Sequence, residues 1–286
     1  MRFSFAGDGI FGGFKGITAF VLTKSKECAI ITVSKGTCVL PIAESAEVYA
    51  MNSTQNNPIY RYELHVHTLE CDLAAHASGA ELVRLYHDAG YSGMVVTDHY
   101  FATFYEWFAE ELKGKTHREI MERRMRGYYA ARNEGEKLGV TVLPGAEVRF
   151  DHSPYGINDF LIFGCNEEFF LTAPRLNELT SLDELNALLP ESACVVLAHP
   201  FRVGMTVIDP SSLFGIEAHN GLTESYRNTM AEDYARHFQK PMTAGSDCHH
   251  ATHACKGGIE TPRLVRTPED LTRVLRSGDY TLYRGS

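Results

Sequence analysis

The sequence predicts an α/β fold in which strands alternate with helices and converge on one mouth. Three observations carry this. From Tyr60 onward, short apolar runs of strand character are separated by helical stretches, the alternation that marks a parallel sheet or barrel. Five of those runs end in imidazole or carboxylate side chains. The 286 residues suffice for a β/α barrel, which commonly takes about 200 or more as one domain.

Residues 1–58 stand apart as an extension and linker. Gly7-Asp8-Gly9-Ile10-Phe11-Gly12 satisfies G-x-G-x-x-G, but the segment is too short for the parallel strands of a dinucleotide fold and lacks an acid at the usual distance. Asp8 and Lys15 interrupt the apolar stretch that a signal peptide needs. Ala29–Val33 and Thr37–Pro41, joined by Ser34-Lys35-Gly36, read as a β-hairpin. Ser53–Pro58 is a polar linker, and Met51 just before it offers an alternative start for the biological chain. This segment is expected to contribute nothing to the chemistry, which leaves residues 59–286 as the functional domain.

The strands expected there are Tyr60–Leu64, Met94–Thr97, Thr141–Gly145, Phe160–Phe163, Cys194–Ala198, Gly215–Ala218 and Pro241–Ala244. Helices are expected over Ala80–Ala89, Arg118–Leu138, Leu182–Leu189, Glu224–Gln239 and Pro268–Arg276. Gly90 and Gly278 are helix stops, Ser181 with Glu184 reads as a capping box, and Thr267 caps the helix that Pro268 opens.

The strand ends carry the chemistry. His65-Val66-His67, Asp98-His99, Glu147, His199 and Asp247-Cys248-His249 each follow a strand. Residues at the C-terminal ends of parallel strands meet at one mouth. Residues i and i+2 of a strand share a side, so His65 with His67, and Asp247 with His249, can each grip one ion. Mixed nitrogen and oxygen donors suit Zn, Mn or Fe.

These residues resemble the polymerase-and-histidinol-phosphatase (PHP) family. Tyr62-Glu63-Leu64-His65-Val66-His67-Thr68 and Gly90-Tyr91-Ser92-Gly93-Met94-Val95-Val96-Thr97-Asp98-His99 look like its opening. Gly145-Ala146-Glu147, Ala198-His199-Pro200 and Gly245-Ser246-Asp247-Cys248-His249 follow in the family's order, so the resemblance covers about residues 60 to 283. It implies a distorted seven-stranded (β/α)7 barrel of the TIM-like kind, two or three divalent ions, and hydrolysis of phosphate esters. It also implies the ligand set His65, His67, Asp72, His99, Glu147, His199, Asp247 and His249, with Glu147 a bridge. Asp72 competes with His76 for its place, and the acid is preferred because carboxylates bridge hard cations. Many relatives carry a further histidine near the fourth strand, where this chain has Asp159 and Asn166. Either could substitute, and two ions are the safer expectation than three.

Bound water is acidified by such ions, which is the source of hydroxide at neutral pH. Asp98, beside His99, is expected to orient that ring or move a proton. Arg202, three residues past His199, is the first candidate for the phosphate because guanidinium matches phosphate bidentately. Arg149 and Lys256 follow it, and His219 is a substrate-facing candidate. His152, His250 and His253 read as solvated loop residues, and His87, His117 and His237 as bland helix positions.

A net charge of −9 and a pI near 5.8 argue against broad binding to nucleic acid or anionic membranes. No apolar run reaches the ~20 residues of a membrane helix. Seven scattered cysteines point to reduced thiols in a cytoplasm. The leading reading is therefore hydrolysis of a small phosphomonoester. Nuclease action on nucleic-acid ends, C–N hydrolysis of the amidohydrolase type, and a non-catalytic metal-binding module are the alternatives.

Overall fold

The computed structural model describes residues 58–154 and 156–285, with three strands ahead of them. The chain divides into two compact units, Met1–Asn57 and Pro58–Ser286. In the first, β1 (Leu22–Ser25), β2 (Cys28–Val33) and β3 (Gly36–Pro41) form an antiparallel sheet in that order. The expected hairpin is its β2–β3 pair. The Gly7–Gly12 motif, Met51 and the linker up to Asn57 lie outside the described residues.

The second unit runs β4 (Tyr60–Val66), α1 (Gly79–Asp88), β5 (Gly93–Val96), β6 (His99–Tyr100), α2 (Ala102–Trp107), α3 (Ala109–Leu112), α4 (His117–Arg124), α5 (Arg126–Leu138), β7 (Thr141–Pro144) and β8 (Ala146–Val148). It continues through β9 (Phe160–Phe163), α6 (Glu167–Thr172), α7 (Leu182–Leu188), β10 (Cys194–Leu197), β11 (Gly215–Asn220), α8 (Ser225–His237), β12 (Met242–Gly245), β13 (Gly257–Thr261), α9 (Pro268–Ser277) and β14 (Thr281–Arg284). The seven expected strands are all present. The long helix expected over 118–138 is broken at Met125, and α2, α3 and α6 are additions. Thr267 and Asp270 close a full capping box on α9. Ser181 caps α7, but the Glu184 carboxylate reaches back to Thr180 N instead, at 2.8 Å.

Two features correct the expected barrel. The strands lie in two sheets, β12-β11-β10-β9-β8-β6 and β14-β13-β4-β5-β7, and no continuous ladder closes them. Nor are they all parallel: β9 runs antiparallel to both β8 and β10, and β13 antiparallel to β4. On one side the chain itself sews the sheets together, because β5 leads into β6 and β7 into β8. On the other side β4 meets the segment just past β12 at the isolated Val66–Cys248 bridge, where His67 N donates to Cys248 O at 3.0 Å. That seam brings the His65–His67 pair alongside Asp247 and His249.

Strand residues are buried on both faces. Leu64, Val95, Leu161, Phe163 and Val196 join one apolar cluster, which Leu271 and Leu275 of α9 complete. Their neighbours Val66, Val96, Ile162 and Val195 join another, with Leu82 of α1 and Ala131 of α5. Each such side chain contributes roughly 1.5–3 kcal/mol on full burial, so continuous apolar runs specify these strands better than alternation does. Among the described residues no helix is long and apolar enough to cross a membrane.

Candidate metal centre

The strand ends assemble one buried cluster. Glu147, on β8, stands at its middle: Oε2 lies 3.3 Å from His65 Nε2, 3.3 Å from His67 Nε2 and 3.1 Å from His99 Nε2. Its Oε1 lies 3.0 Å from His199 Nε2. Asp247 Oδ1 is 3.6 Å from His65 Nε2 and 3.4 Å from both His67 Nε2 and His249 Nδ1. Asp72 Oδ2 is 2.5 Å from His99 Nδ1 and 3.8 Å from His249 Nε2. All eight expected ligands are thus in one place. They form overlapping groups that could each hold an ion: His67, Asp72, His99 and His249; His65, His199 and Asp247; His65, His67 and Glu147; and Glu147, Asp159 and His199.

Two choices left open by the sequence take a definite geometry. Asp72 is inside the cluster, whereas His76 is exposed and stacks on His250 at 4.2 Å. Asp159 joins Glu147 and His199. Asn166 is instead the cap of α6, accepting from Phe169 N at 2.9 Å.

The donor set fits divalent cations. His65 Nε2, both ring nitrogens of His67, His199 Nδ1, Glu147 Oε2 and Asp247 Oδ1 are buried without a hydrogen bond of sound geometry, an arrangement that is expensive unless something is bound. Four carboxylates, Asp72, Glu147, Asp159 and Asp247, face two guanidinium groups, Arg149 and Arg202. Protonation follows that imbalance. Burial opposes charge on Glu147 and Asp247, but the imidazole charge of His65 outweighs it and holds both carboxyls well below their ordinary range. Burial also opposes charge on His99, yet its bonds to Asp72 and Glu147 lift the ring to about 10. His67, buried and flanked by His99 and His249, is pushed down to about 3. Cations would take over the role of those protons.

Two of these residues sit on unusual backbone. His199 has φ 29° and Asp247 φ 52°, left-handed conformations that side chains other than glycine adopt at about 1–3 kcal/mol each. Both lie two residues past the end of a strand, β10 and β12 respectively.

The auxiliary residues divide. Arg202 stands at the mouth, with Nη1 3.4 Å from Asp247 Oδ2 and its side chain about half exposed. Arg149 forks onto Asp159, Nε to Oδ1 at 2.6 Å and Nη2 to Oδ2 at 2.7 Å, with Phe101 under its guanidinium. It is a fixed charge at the edge of the cluster. His219 is turned away, its ring bonded to Lys256 O at 2.9 Å; Lys256 meets the region through this carbonyl and through its N–H on Ser246 Oγ.

Asp98 needs correction as an orienting residue for His99. Successive side chains where β5 runs into β6 leave on opposite sides. The Asp98 carboxylate accepts from Thr68 N at 2.6 Å and from Thr68 Oγ1, and burial pushes it up to about 7. It holds the loop that follows His67, while the carboxylate beside the His99 ring is that of Asp72.

Two acids escaped the sequence reading. Glu63 Oε1 accepts from His65 N at 3.0 Å and Ser246 N at 2.8 Å, tying the two metal-bearing strand ends. Glu217 Oε1 lies 2.8 Å from His65 Nδ1. Both are fully buried acids within apolar strands, and that contrast was the available signal.

Residues 225–280 match a family model described as PHP-associated, a stretch that includes β12 and the cluster residues Asp247 and His249. The match spans well under half of the chain. The chain's fold is shared with the crystal structure of PsfC from Pseudomonas syringae PB-5123, at 20% identity and TM-score 0.54, over 75% of this chain and 88% of that one. It is also shared with a two-domain protein from Bacteroides vulgatus ATCC 8482 that contains a predicted PHP-like metal-dependent phosphoesterase. That likeness has 16% identity and TM-score 0.55 over 80% of this chain and 66% of the other. No curated protein sequence matches the chain. The cluster occupies the strand-end position where α/β folds bind their ligands.

Proposed function

We propose that the protein is a divalent-metal-dependent phosphoesterase acting on a small phosphomonoester. The observation that carries this reading is the cluster of eight histidine and carboxylate residues, six of them buried, beside a half-exposed arginine. His65, His67, Glu147 and Asp247 would hold one ion, and His99, Asp72 and His249 a second, with Glu147 between them. Asp159 and His199 provide for a third. Such ions, from Zn, Mn or Fe, supply Lewis acidity and a lowered water pKa.

The chain's own residues do the rest. Arg202 presents N–H donors to the phosphoryl oxygens at the mouth and offsets charge that develops there. Arg149 cannot swing without breaking its fork to Asp159, so it adds a fixed positive field. Asp72 keeps His99 in one orientation, and Asp98 keeps the Thr68 loop in place. Phe101, stacked on His99 at 4.3 Å, limits water on that side. The acidic overall balance favours a small substrate over nucleic acid. The five described cysteines are free and four of them are buried, which supports a reducing, cytoplasmic setting.

The deciding experiment is phosphate release by Mn- or Zn-loaded protein over a panel of sugar, nucleoside and amino-alcohol phosphomonoesters. Turnover of a monoester that chelator abolishes is the expected result. Activity confined to nucleic-acid ends, or to C–N substrates included in the panel, would overturn it.

A further inference from the structure

Strand β11 supplies none of the candidate ligands, yet it touches three of them. Glu217 Oε1 sits 2.8 Å from His65 Nδ1, and Oε2 accepts the His199 backbone N–H at 3.0 Å. Asn220 Nδ2 bridges Glu217 Oε2 at 3.0 Å and Asp247 Oδ2 at 3.2 Å. Through two side chains, β11 thus reaches residues delivered by β4, β10 and β12. Those three, His65, His199 and Asp247, form one of the groups able to hold an ion.

A bulge makes this possible. Glu217 pairs with Thr243 and His219 with Ala244, so β11 spends an extra residue against its neighbour. In an unbroken strand His219 would share the side of Glu217 and Asn220 would oppose it. The extra residue exchanges them. Asn220 is fully buried beside Glu217, and His219 faces Asn228 and the Lys256 carbonyl.

We infer that Glu217 and Asn220 are the positioning pair for the metal centre, fixing which nitrogen of His65 faces the ion and how His199 and Asp247 converge. The inference rests on the metal-centre reading but not on the substrate. With Glu217 accepting at Nδ1, His65 carries its proton there and leaves Nε2, which has no hydrogen bond of its own, free to ligate. A carboxylate behind an imidazole also raises its basicity, and loss of such partners commonly weakens metal affinity by roughly 10–100-fold.

The test compares full-length wild type, Glu217→Gln and Asn220→Ala by Zn titration against a chromophoric chelator, with no substrate present. Glu217→Gln should lower affinity for the tightest ion roughly 10–100-fold with unchanged stoichiometry, and Asn220→Ala by a smaller factor. Circular dichroism of the metal-free proteins should remain alike. Wild-type affinity in a folded Glu217→Gln would overturn the inference. Loss of one whole equivalent of Zn would also overturn it, by making Glu217 a ligand. Should Glu217→Gln fail to fold, nitrogen-15 spectra of the Zn-loaded wild type decide: His65 must be protonated at Nδ1, and a proton at Nε2 sinks the idea. Wild type that binds no Zn would instead remove the metal centre itself.

Discussion

Gly245→Ala is the most direct test of how tightly the seam between β4 and β12 holds the cluster. A Cβ at Gly245 would stand 2.9 Å from Glu217 Oε1 and 3.1 Å from His65 N, and closer still to His65 Cβ. Ordinary contact needs about 3.5–4 Å, so His65 must recede by roughly 1–1.5 Å. Just past β12 the chain meets β4 at the isolated Val66–Cys248 bridge, and on the ring side Glu147 Oε2, 3.3 Å from His65 Nε2, resists the shift. Overpacking of this kind destabilises by about 1–3 kcal/mol. Donors must also hold position to within ~0.5 Å for a productive site, so metal affinity should fall by at least about tenfold. Thermal melts with and without Zn, together with chelator competition, measure both effects. A Gly245→Ala protein with wild-type melting temperature and Zn affinity would refute the reasoning, since it would show that the seam opens without disturbing His65.

Four further outcomes are expected. Arg202→Ala should keep its metal while kcat/KM drops roughly 10–1000-fold, with Lys restoring only part because an ammonium cannot make the bidentate fork; unchanged kinetics would demote Arg202 to a surface charge. Stripping metal should lower the melting temperature, because ions at about 100 times their Kd stabilise by roughly 2.7 kcal/mol per site; identical melts for apo and loaded protein would contradict this. Asp98→Asn keeps an acceptor for Thr68 and should cost about 1 kcal/mol of stability with little change in turnover, so a large kcat loss at unchanged stability would restore a proton-transfer role. A chain begun at Met51 should fold, bind metal and keep activity, as residues 58–286 form a compact unit of their own; insolubility on truncation would give the first fifty residues a structural part.

Much of the site was legible because its residues are of costly types in apolar surroundings. A histidine pair or an Asp-x-His at the end of a buried strand has few uses apart from ligation, so the ligand positions could be read without knowing how the strands pair. Strand direction could not. Phe160–Phe163 is apolar on both faces whichever way it runs, and nothing in its text says that it lies antiparallel to β8 and β10. Glu217 and Asn220 were hidden for a different reason. Counting by twos puts Glu217 with His219, and only the bulge, which leaves no mark in residue type, pairs Glu217 with Asn220. Asp98 misled because adjacency in sequence suggests contact, while an extended backbone sends neighbours apart. The helix over 118–138 broke at Met125, two residues before Gly127, a residue that a helix pattern tolerates and that was read through.

The left-handed backbone at His199 and Asp247 sets two kinds of selection against each other. Glycine at either position would relax the chain and raise the stability of the metal-free protein, and asparagine would do so in part. Both replacements discard a donor. Directed evolution of this chain toward heat resistance alone would therefore enrich variants that have traded chemistry for comfort, because two of the strained positions are ones that would hold ions. Any stabilisation campaign has to score metal retention alongside melting temperature. By the same logic, a homologous chain with glycine at both turns would advertise a sturdy fold whose catalytic life is over.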